Sequence, residues 1–234
     1  MYLFFKRILD LLISGIVFLI CLPLFIPILI LQLLTGEGYV FYFQKRIGFK
    51  RQYFDIWKFA TMLKNSPNIG TGSITLRNDP RVTPMGKFLR PTKLNELPQV
   101  INVLKGDLSI VGPRPLVDRT FNAYSKEIQA KIYNVKPGIT GIGSIIFRDE
   151  EALISNATED PHVFYQRVIA PYKGALEMWY QKNASLWTDI KIIFLTAWVI
   201  VFSDSDLPYK IFKDLPERNF NTKNEVKVNS IETS

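Results

Sequence analysis

Asn95 and Glu96 are the first candidates for chemistry because they stand where a helix is expected to begin. The segment LNELPQVINVLKG has apolar residues at helical spacing, and Gly106 is a natural end for that helix. Asn95 is expected to cap the helix, whose free amide groups and positive dipole end favour an anion. A carboxylate there, Glu96, can bind a hard divalent cation that also holds phosphate oxygens. An ordinary helix start with no function explains the same residues.

Four basic residues could meet a phosphate at this helix start: Lys58, Arg81, Arg90 and Arg114. Arg114 lies in GPRP, whose prolines fix the backbone and aim a guanidinium fork that suits phosphate geometry. Each residue alone is explained as a solvated surface charge. Together, in a chain with a membrane segment, they predict a phosphate-binding site.

The membrane segment is LLISGIVFLICLPLFIPILILQLL, residues 11–34, which carries no charge. As a straight helix it would reach about 36 Å, enough for a hydrocarbon core of about 30 Å. Pro23, with Pro27 one turn later, predicts a bend near residues 19–23. Basic residues on both sides favour a re-entrant helix that breaks at Pro23 and keeps both clusters beside the cytoplasmic leaflet. A kinked single span is the alternative.

Composition narrows the chemistry further. The formal charge of +8 points to an anionic partner, which nucleic acid, acidic lipid and phosphorylated molecules would all satisfy. The single cysteine, Cys21, and single histidine, His162, argue against a thiolate metal cluster and against histidine-based catalysis.

The remaining pattern predicts an α+β domain, mostly helical, with interfacial amphipathic helices. Alternating residues at 39–63 predict two strands around Gly48, and further helices are expected at 84–90 and 118–135. Residues 137–141 predict a turn and residues 144–147 a strand. Residues 184–202 predict an interfacial helix anchored by Trp187 and Trp198, with a buried core helix as the alternative. We expect a membrane helix at 1–38, a cytosolic interfacial catalytic domain at 39–213 and a flexible polar tail at 214–234.

Several segments together resemble the bacterial sugar transferase family, the monotopic phosphoglycosyl transferases. They are KRILD, FYFQKRIGFKRQYFDIWKFATM, NDPRVTPMGKFLR, LNELPQVINVLKGDLSIVGPRPL and KPGITG, in order from residue 6 to about residue 141. Residues beyond 142 match only loosely, and residues that select the sugar are expected there, with SIIFRDEEALI as one candidate region.

The resemblance implies transfer of sugar-1-phosphate from a UDP-sugar to undecaprenyl phosphate, with release of UMP and with Mg²⁺ as cofactor. This is the first membrane step of surface glycan assembly, for exopolysaccharide, capsule or lipopolysaccharide. It implies a catalytic domain on the cytoplasmic face of the bacterial inner membrane, in contact with its lipids, and a re-entrant helix that breaks at a proline resembling Pro23. Nucleic acid is not an expected partner, because the basic residues lie in phosphate-site motifs. The sequence leaves open whether the chain forms a homo-oligomer.

The sequence departs from the family at its central residue. Members usually carry Asp-Glu where this chain has Asn95-Glu96, with the Asp as nucleophile and the Glu as magnesium ligand; Ala60 also replaces a usual Arg. A neutral amide is a far poorer nucleophile than a carboxylate. Three hypotheses follow. The lipid phosphate attacks directly, with Glu96-bound magnesium, Arg90 and Arg114 stabilising the phosphoryl group; Asp79 or Asp107 is the nucleophile; or the chain is a catalytically impaired binding or scaffold protein. The other retained phosphate-site residues favour active transfer.

Overall fold

The computed structural model describes residues 1–35, 37–69, 79–203 and 205–218. It is a mostly helical α+β structure with two small sheets and one long apolar N-terminal helix. The first of its elements are α1 (Tyr2–Thr35), β1 (Phe41–Ile47), β2 (Tyr53–Phe59), α2 (Pro84–Leu89), α3 (Gln99–Lys105) and β3 (Ser109–Val111). There follow α4 (Asp118–Phe121), α5 (Lys126–Lys131), β4 (Gly138–Thr140), α6 (Ile142–Ile146), α7 (Glu150–Ser155), α8 (Pro161–Phe164), α9 (Ala170–Asn183), α10 (Leu186–Val201) and α11 (Leu207–Ile211).

Helix α1 is continuous through Pro23 and Pro27, and its stretch Tyr2–Leu34 is long and apolar enough to cross a membrane. Its buried positions include the polar residues Asp10, Ser14 and Gln32 as well as Phe25 and Ile28, while many large apolar side chains are exposed. Such an arrangement suits an apolar solvent, in which polar groups face the protein interior. The bend expected near residues 19–23 stays a prediction.

The two ends of α1 contact the same folded domain. Near its start, Asp10 Oδ1 accepts hydrogen bonds from Ser109 Oγ at 3.0 Å and from the Ile110 amide at 2.9 Å. Near its end, Gln32 Nε2 donates to the Ala60 carbonyl at 2.6 Å. A straight helix would separate Asp10 from Gln32 by about 33 Å, so the contacts of α1 with the domain are made at two widely separated places along the helix sequence.

The predicted strand pair at 39–63 is confirmed as the antiparallel hairpin β1–β2, in which Tyr42 pairs with Lys58 and Arg46 with Phe54. Alternation places Tyr42, Arg46 and Lys58 on one face. Rings of Phe41 and Trp57 lie on the other face, 5.9 Å apart between centroids. The hairpin therefore places Arg46 and Lys58 on one face and the cluster of Phe41 and Trp57 on the other.

Three sequence expectations are corrected by the second sheet and its surroundings. Residues 138–140 form β4, parallel to β3, because the partner strand supplies hydrogen bonds that the local turn pattern did not reveal. Residues 142–146 form helix α6 instead of a strand, since Ile142 and Ile145 face the core at helical spacing. The helix expected at 118–135 is two, and the second begins where Ser125 caps the Ile128 amide.

Helix α10 has features of both the interfacial helix and the buried core helix that were considered for residues 184–202. Ile192, Leu195 and Val199 are buried in the main core, while Trp187 and Phe194 are exposed. The core also holds residues of α6 and α9, including Ile142 and Leu176. At the C-terminal end, Trp179 Nε1 donates to Asp214 and Tyr172 Oη to the Pro216 carbonyl. Most of the predicted flexible tail, residues 219–234, lies outside the described residues.

Candidate phosphate-binding site

Lys58, Glu96 and Arg114 come together although they lie on three different elements. Lys58 extends from β2, Glu96 from a 3₁₀ turn at Leu94–Glu96, and Arg114 from the loop after β3. Lys58 Nζ lies 2.8 Å and Arg114 Nη2 lies 3.5 Å from the same oxygen, Glu96 Oε1. One carboxylate oxygen thus holds two cations that could both interact with a phosphate group.

The electrostatics of this cluster favour a further anion. Burial would raise the pKa of Glu96, but Lys58 and Arg114 together hold it well below its usual range. Burial lowers the pKa of Lys58 to about 8, against the attraction of Glu96. Burial, reinforced by Arg114, also lowers the pKa of Arg46 to about 10, so Lys58, Arg46 and Arg114 all carry positive charge at neutral pH, against Glu96 and, near Arg114, Glu150. The cluster is short of negative charge.

Arg46 was missed in the sequence analysis. The strand alternation could have revealed it, because Arg46 lies on the same face of the hairpin as Lys58, two cross-strand pairs away. Its Nη1 donates to the Pro115 carbonyl at 3.2 Å, beside Arg114. Its Nε is buried and has no hydrogen-bond partner within the described part of the chain. A buried guanidinium with an unused donor is costly unless a ligand or water completes it.

The loop that carries Arg114 is anchored at almost every residue. Tyr133 Oη donates to the Arg114 carbonyl at 2.9 Å and accepts from the Leu116 amide at 2.8 Å. The Gly138 amide donates to the Pro113 carbonyl, and the Ile47 amide to the Leu116 carbonyl, each at 2.9 Å. Because its backbone is fixed in this way, binding of a ligand by Arg114 requires no ordering of the loop backbone.

Asn95 does not cap the helix, which corrects the sequence expectation. It lies inside the 3₁₀ turn, and Pro98 occupies the N-cap of α3 without a side-chain hydrogen bond. The turn is reached through Lys93, whose φ of 58° is left-handed and therefore strained for a residue with a side chain. Asn95 Oδ1 is buried without a hydrogen-bond partner in the described residues, so an acceptor is available next to Glu96.

The other predicted site residues are placed elsewhere. Arg81 forms a buried ion pair with Asp79, with 2.6 Å between Nη2 and Oδ2, and it also donates to the carbonyl of Ser66. Arg90 pairs with Glu151 at the start of α7. These contacts connect Arg81 with its own loop and Arg90 with the region after residue 142.

The two alternative carboxylates are also engaged away from Glu96. The Asp79 carboxylate binds Arg81, and Asp107 Oδ2 accepts from Asn102 Nδ2 at 3.2 Å. Neither Asp79 nor Asp107 has a described contact with Lys58, Glu96 or Arg114.

A magnesium ion fits this site only together with an anionic ligand. In the described part of the chain, no three His, Cys, Asp or Glu residues are grouped to hold a metal ion. Glu96 supplies one hard oxygen donor, and magnesium typically takes one or two carboxylates, water and phosphate oxygens. Because cations already surround Glu96, phosphate oxygens are needed to offset the added positive charge.

The structure thus combines one helix long and apolar enough to cross a membrane with a cluster of three cations near Glu96. The profile of the family described as "Bacterial sugar transferase" matches residues 1–203. The chain belongs to this family.

Several curated relatives are similar over most of this chain. "Undecaprenyl-phosphate galactose phosphotransferase" of Salmonella typhimurium is 33% identical over 215 residues, which cover 86% of this chain and 41% of that protein. "UDP-glucose:undecaprenyl-phosphate glucose-1-phosphate transferase" of Klebsiella pneumoniae is 35% identical, with 82% and 39% covered. "Exopolysaccharide production protein ExoY" of Rhizobium meliloti is 32% identical, with 85% and 86% covered. The chain thus spans less than half of the first two relatives and most of the third.

Proposed function

We propose that this protein transfers sugar-1-phosphate from a UDP-sugar to undecaprenyl phosphate and releases UMP. The observation that carries the proposal is the shared binding of Lys58 and Arg114 by Glu96, with Arg46 as a third nearby cation. The positive charge that Glu96 leaves uncompensated in this cluster favours binding of the donor's pyrophosphate. The names of the Salmonella and Klebsiella relatives support undecaprenyl phosphate as the lipid acceptor, and the Klebsiella name also supports a nucleotide-sugar donor.

The chemistry proposed for this chain is direct transfer. An oxygen of the lipid phosphate forms a bond to the sugar-bearing phosphorus, and the bond from that phosphorus to UMP breaks. Arg114 and Lys58 bind the phosphoryl oxygens and stabilise the charge that they carry in the transition state. Glu96 keeps both cations in position. The amide of Asn95 is a weak nucleophile, so its proposed role is to bind a donor group through its unpaired Oδ1.

We propose Mg²⁺ as the cofactor, held by Glu96 together with the donor's phosphates. When bound, it would neutralise phosphate charge and aid departure of UMP. Removal of the metal with a chelator should then abolish turnover, and Mg²⁺ should bind the protein measurably only when a UDP-sugar is present.

The proposed location is the cytoplasmic face of the bacterial inner membrane, with α1 as a re-entrant helix. Support comes from the contacts of Asp10 and Gln32, at opposite ends of α1, with one and the same domain. A straight span would place those contacts on opposite faces of a bilayer of about 30 Å. A helix that enters and leaves by one face permits both contacts.

The activity is tested by incubating purified protein with Mg²⁺, undecaprenyl phosphate and separate samples of UDP-glucose, UDP-galactose and UDP-N-acetylgalactosamine. We expect UMP release with at least one donor, and loss of release in Glu96→Gln. Glu127→Gln, which removes an exposed carboxylate on α5, is the matched control and should keep full turnover. Wild-type protein that releases no UMP from any donor, or Glu96→Gln at full activity, would contradict the proposal.

The topology is tested with single cysteines in a Cys21→Ala background. Leu3→Cys lies on the exposed side of the start of α1, and Lys45→Cys lies on the exposed edge of the hairpin. A membrane-impermeant thiol reagent should label both positions only from the cytoplasmic side. Labelling of residue 3 from the outside would establish a spanning helix instead.

A further inference from the structure

Glu177 is a buried carboxyl group behind Arg114 that the proposed chemistry does not use. It lies on α9 with only 1% of its surface exposed. Neither of its oxygens meets full hydrogen-bond geometry with a donor in the described residues, and the one amide that approaches closely enough to lower its pKa is that of Arg114. Buried ionised carboxylates normally accept two or three such bonds, so the surroundings of Glu177 are unusual for a charged group.

The space around this carboxyl group is shaped by glycine. A Cβ atom built on Gly143 would lie 2.4 Å from Glu177 Oε1, and one built on Gly141 would lie 4.0 Å from Oε2. Real Cβ contacts are never as short as the first, so the carboxyl group occupies the room that Gly143 leaves. The carboxyl group is thereby held against the backbone at the start of α6.

The titratable groups that interact with Glu177 lie on α9, in the loop after β3 and next to α5. Lys173 lies one turn earlier on α9, and Arg114 approaches with both its backbone amide and its guanidinium. Tyr124, which precedes α5 in the chain, and Tyr133, which follows it, also interact with Glu177. Burial raises the pKa of Glu177 to about 7, and Lys173 and Arg114 only partly oppose that rise. At neutral pH the carboxyl group is therefore divided between its two protonation states.

Lys173 cannot fully neutralise Glu177 because it is already engaged. It forms a close ion pair with Glu150 at the start of α7, and it is itself almost fully buried. Arg114 likewise interacts with Glu96 and with Glu150. Glu177 thus competes with Glu96, Glu150 and any bound phosphate for the positive charge of the same arginine.

The geometry points to Glu177 as a positioning residue for Arg114 that takes up a proton when the anionic donor binds. The inference rests on the proposed function, because it assumes that the donor's phosphates bind Arg114. When those phosphates arrive, their negative charge disfavours the ionised carboxylate behind the arginine, and a proton from water neutralises it. Arg114 is then free of the competing charge of Glu177 and available to the donor.

The sign of the linkage follows directly. A bound anion raises the proton affinity of a neighbouring carboxyl group, so donor binding is tighter at low pH. If binding raises the pKa of Glu177 from about 7 by roughly one unit, affinity should fall about fivefold between pH 6 and pH 8. The same shift corresponds to uptake of about 0.4 proton at pH 7.

Calorimetric titration of the full chain with UDP-glucose, without lipid acceptor, tests the inference. Titrations in two buffers of different ionisation enthalpy at pH 7 give the number of protons taken up, and titrations at pH 6 and pH 8 give the change in affinity. UDP-galactose and UDP-N-acetylgalactosamine replace UDP-glucose if it does not bind. Glu177→Gln, a neutral group of the same shape, should remove about 0.4 proton of uptake and most of the fivefold pH effect. Any uptake at Lys58 should remain in both proteins and cancel in the difference.

Lys173→Met provides a second variant that keeps the carboxyl group. Loss of the neighbouring cation should raise the pKa of Glu177 and move the pH dependence of binding to higher pH, which a merely structural role would not do. Equal proton uptake and equal pH dependence in wild type and Glu177→Gln would overturn this inference and leave the proposed function intact. Failure of all three donors to bind the wild-type protein would overturn the proposed donor, and the inference with it.

Discussion

The ion pair between Lys58 and Glu96 should be energetically coupled, and a double-mutant cycle can measure the coupling. Lys58→Met and Glu96→Gln remove the two charges singly and together. The side chains are 14% and 19% exposed, so the pair is screened less than a surface pair and more than a fully buried one. Glu96→Gln also leaves Lys58, Arg114 and Arg46 without their shared carboxylate.

The expected magnitudes follow from that burial. Removing one partner of a fully buried pair costs about 3–5 kcal/mol, so Glu96→Gln should cost about 2–4 kcal/mol after allowance for partial exposure. Lys58→Met should cost less, about 1–2 kcal/mol, because Arg114 still lies 3.5 Å from the carboxylate. The double variant should lose about 2 kcal/mol less stability than the two single variants lose together.

Thermal unfolding in detergent micelles, followed by tryptophan fluorescence, provides the assay. For a chain of this size each 1 kcal/mol shifts the melting temperature by about 2–4 °C. Burial sets the pKa of Lys58 at about 8, so the coupling should fade as the pH is raised through that value and the ammonium is lost. Additive losses, within about 0.5 kcal/mol, at pH 7 would refute a coupled pair.

Three further variants and one control variant test other parts of the structure by the same unfolding assay. Gly143→Ala should cost about 1–3 kcal/mol of stability, because its methyl group would overlap a carboxyl oxygen of Glu177 2.4 Å away. In the control, Gly15→Ala, the methyl group has nothing within 4 Å, so this variant should be neutral or stabilising. Equal melting temperatures for the two variants would contradict this. As the pH rises from 5 to 8, the wild-type protein should lose up to about 3 kcal/mol of stability relative to Glu177→Gln. The loss is expected because the pKa of Glu177 in the folded state, about 7, exceeds its ordinary value of 4.5. A stability difference between the two proteins that does not change with pH would rule this out. Asn102→Ala should cost about 2–3 kcal/mol, since its buried amide bonds an N–H and a carbonyl of β2, and an unchanged melting temperature would argue against that bridge.

Helices, strands and turns that depend mainly on residues close together in the chain were predictable from the sequence. The uncharged run at 11–34 could only form a helix in an apolar environment, and the alternation around Gly48 predicted the hairpin. Gly106 ends α3 with a φ of 94°, a conformation that glycine adopts at little cost. Lys58, Glu96 and Arg114 were predicted from residue type and from resemblance to the family.

Elements that depend on distant partners were not predictable in this way. Strand β4 exists because β3, whose paired residues lie 29 positions earlier in the chain, runs beside it, whereas its own segment PGITG has the local pattern of a turn. Asn95 was expected to cap a helix, but the chain arrives through a left-handed Lys93 and begins a 3₁₀ turn first. In both places tertiary contacts override the local preference.

The sequence by itself therefore determined the apolar helix, the hairpin and the residue types of a phosphate site, because these depend on spacing and side-chain chemistry along the chain. Only the tertiary structure decided which charges share that site. It brought Arg46 beside Lys58 and Arg114, and paired Arg81 with Asp79 instead. It also buried Glu177 against Gly143 behind the arginine. Electrostatic interactions depend on distance and burial in three dimensions, and neither quantity can be read from positions in the chain.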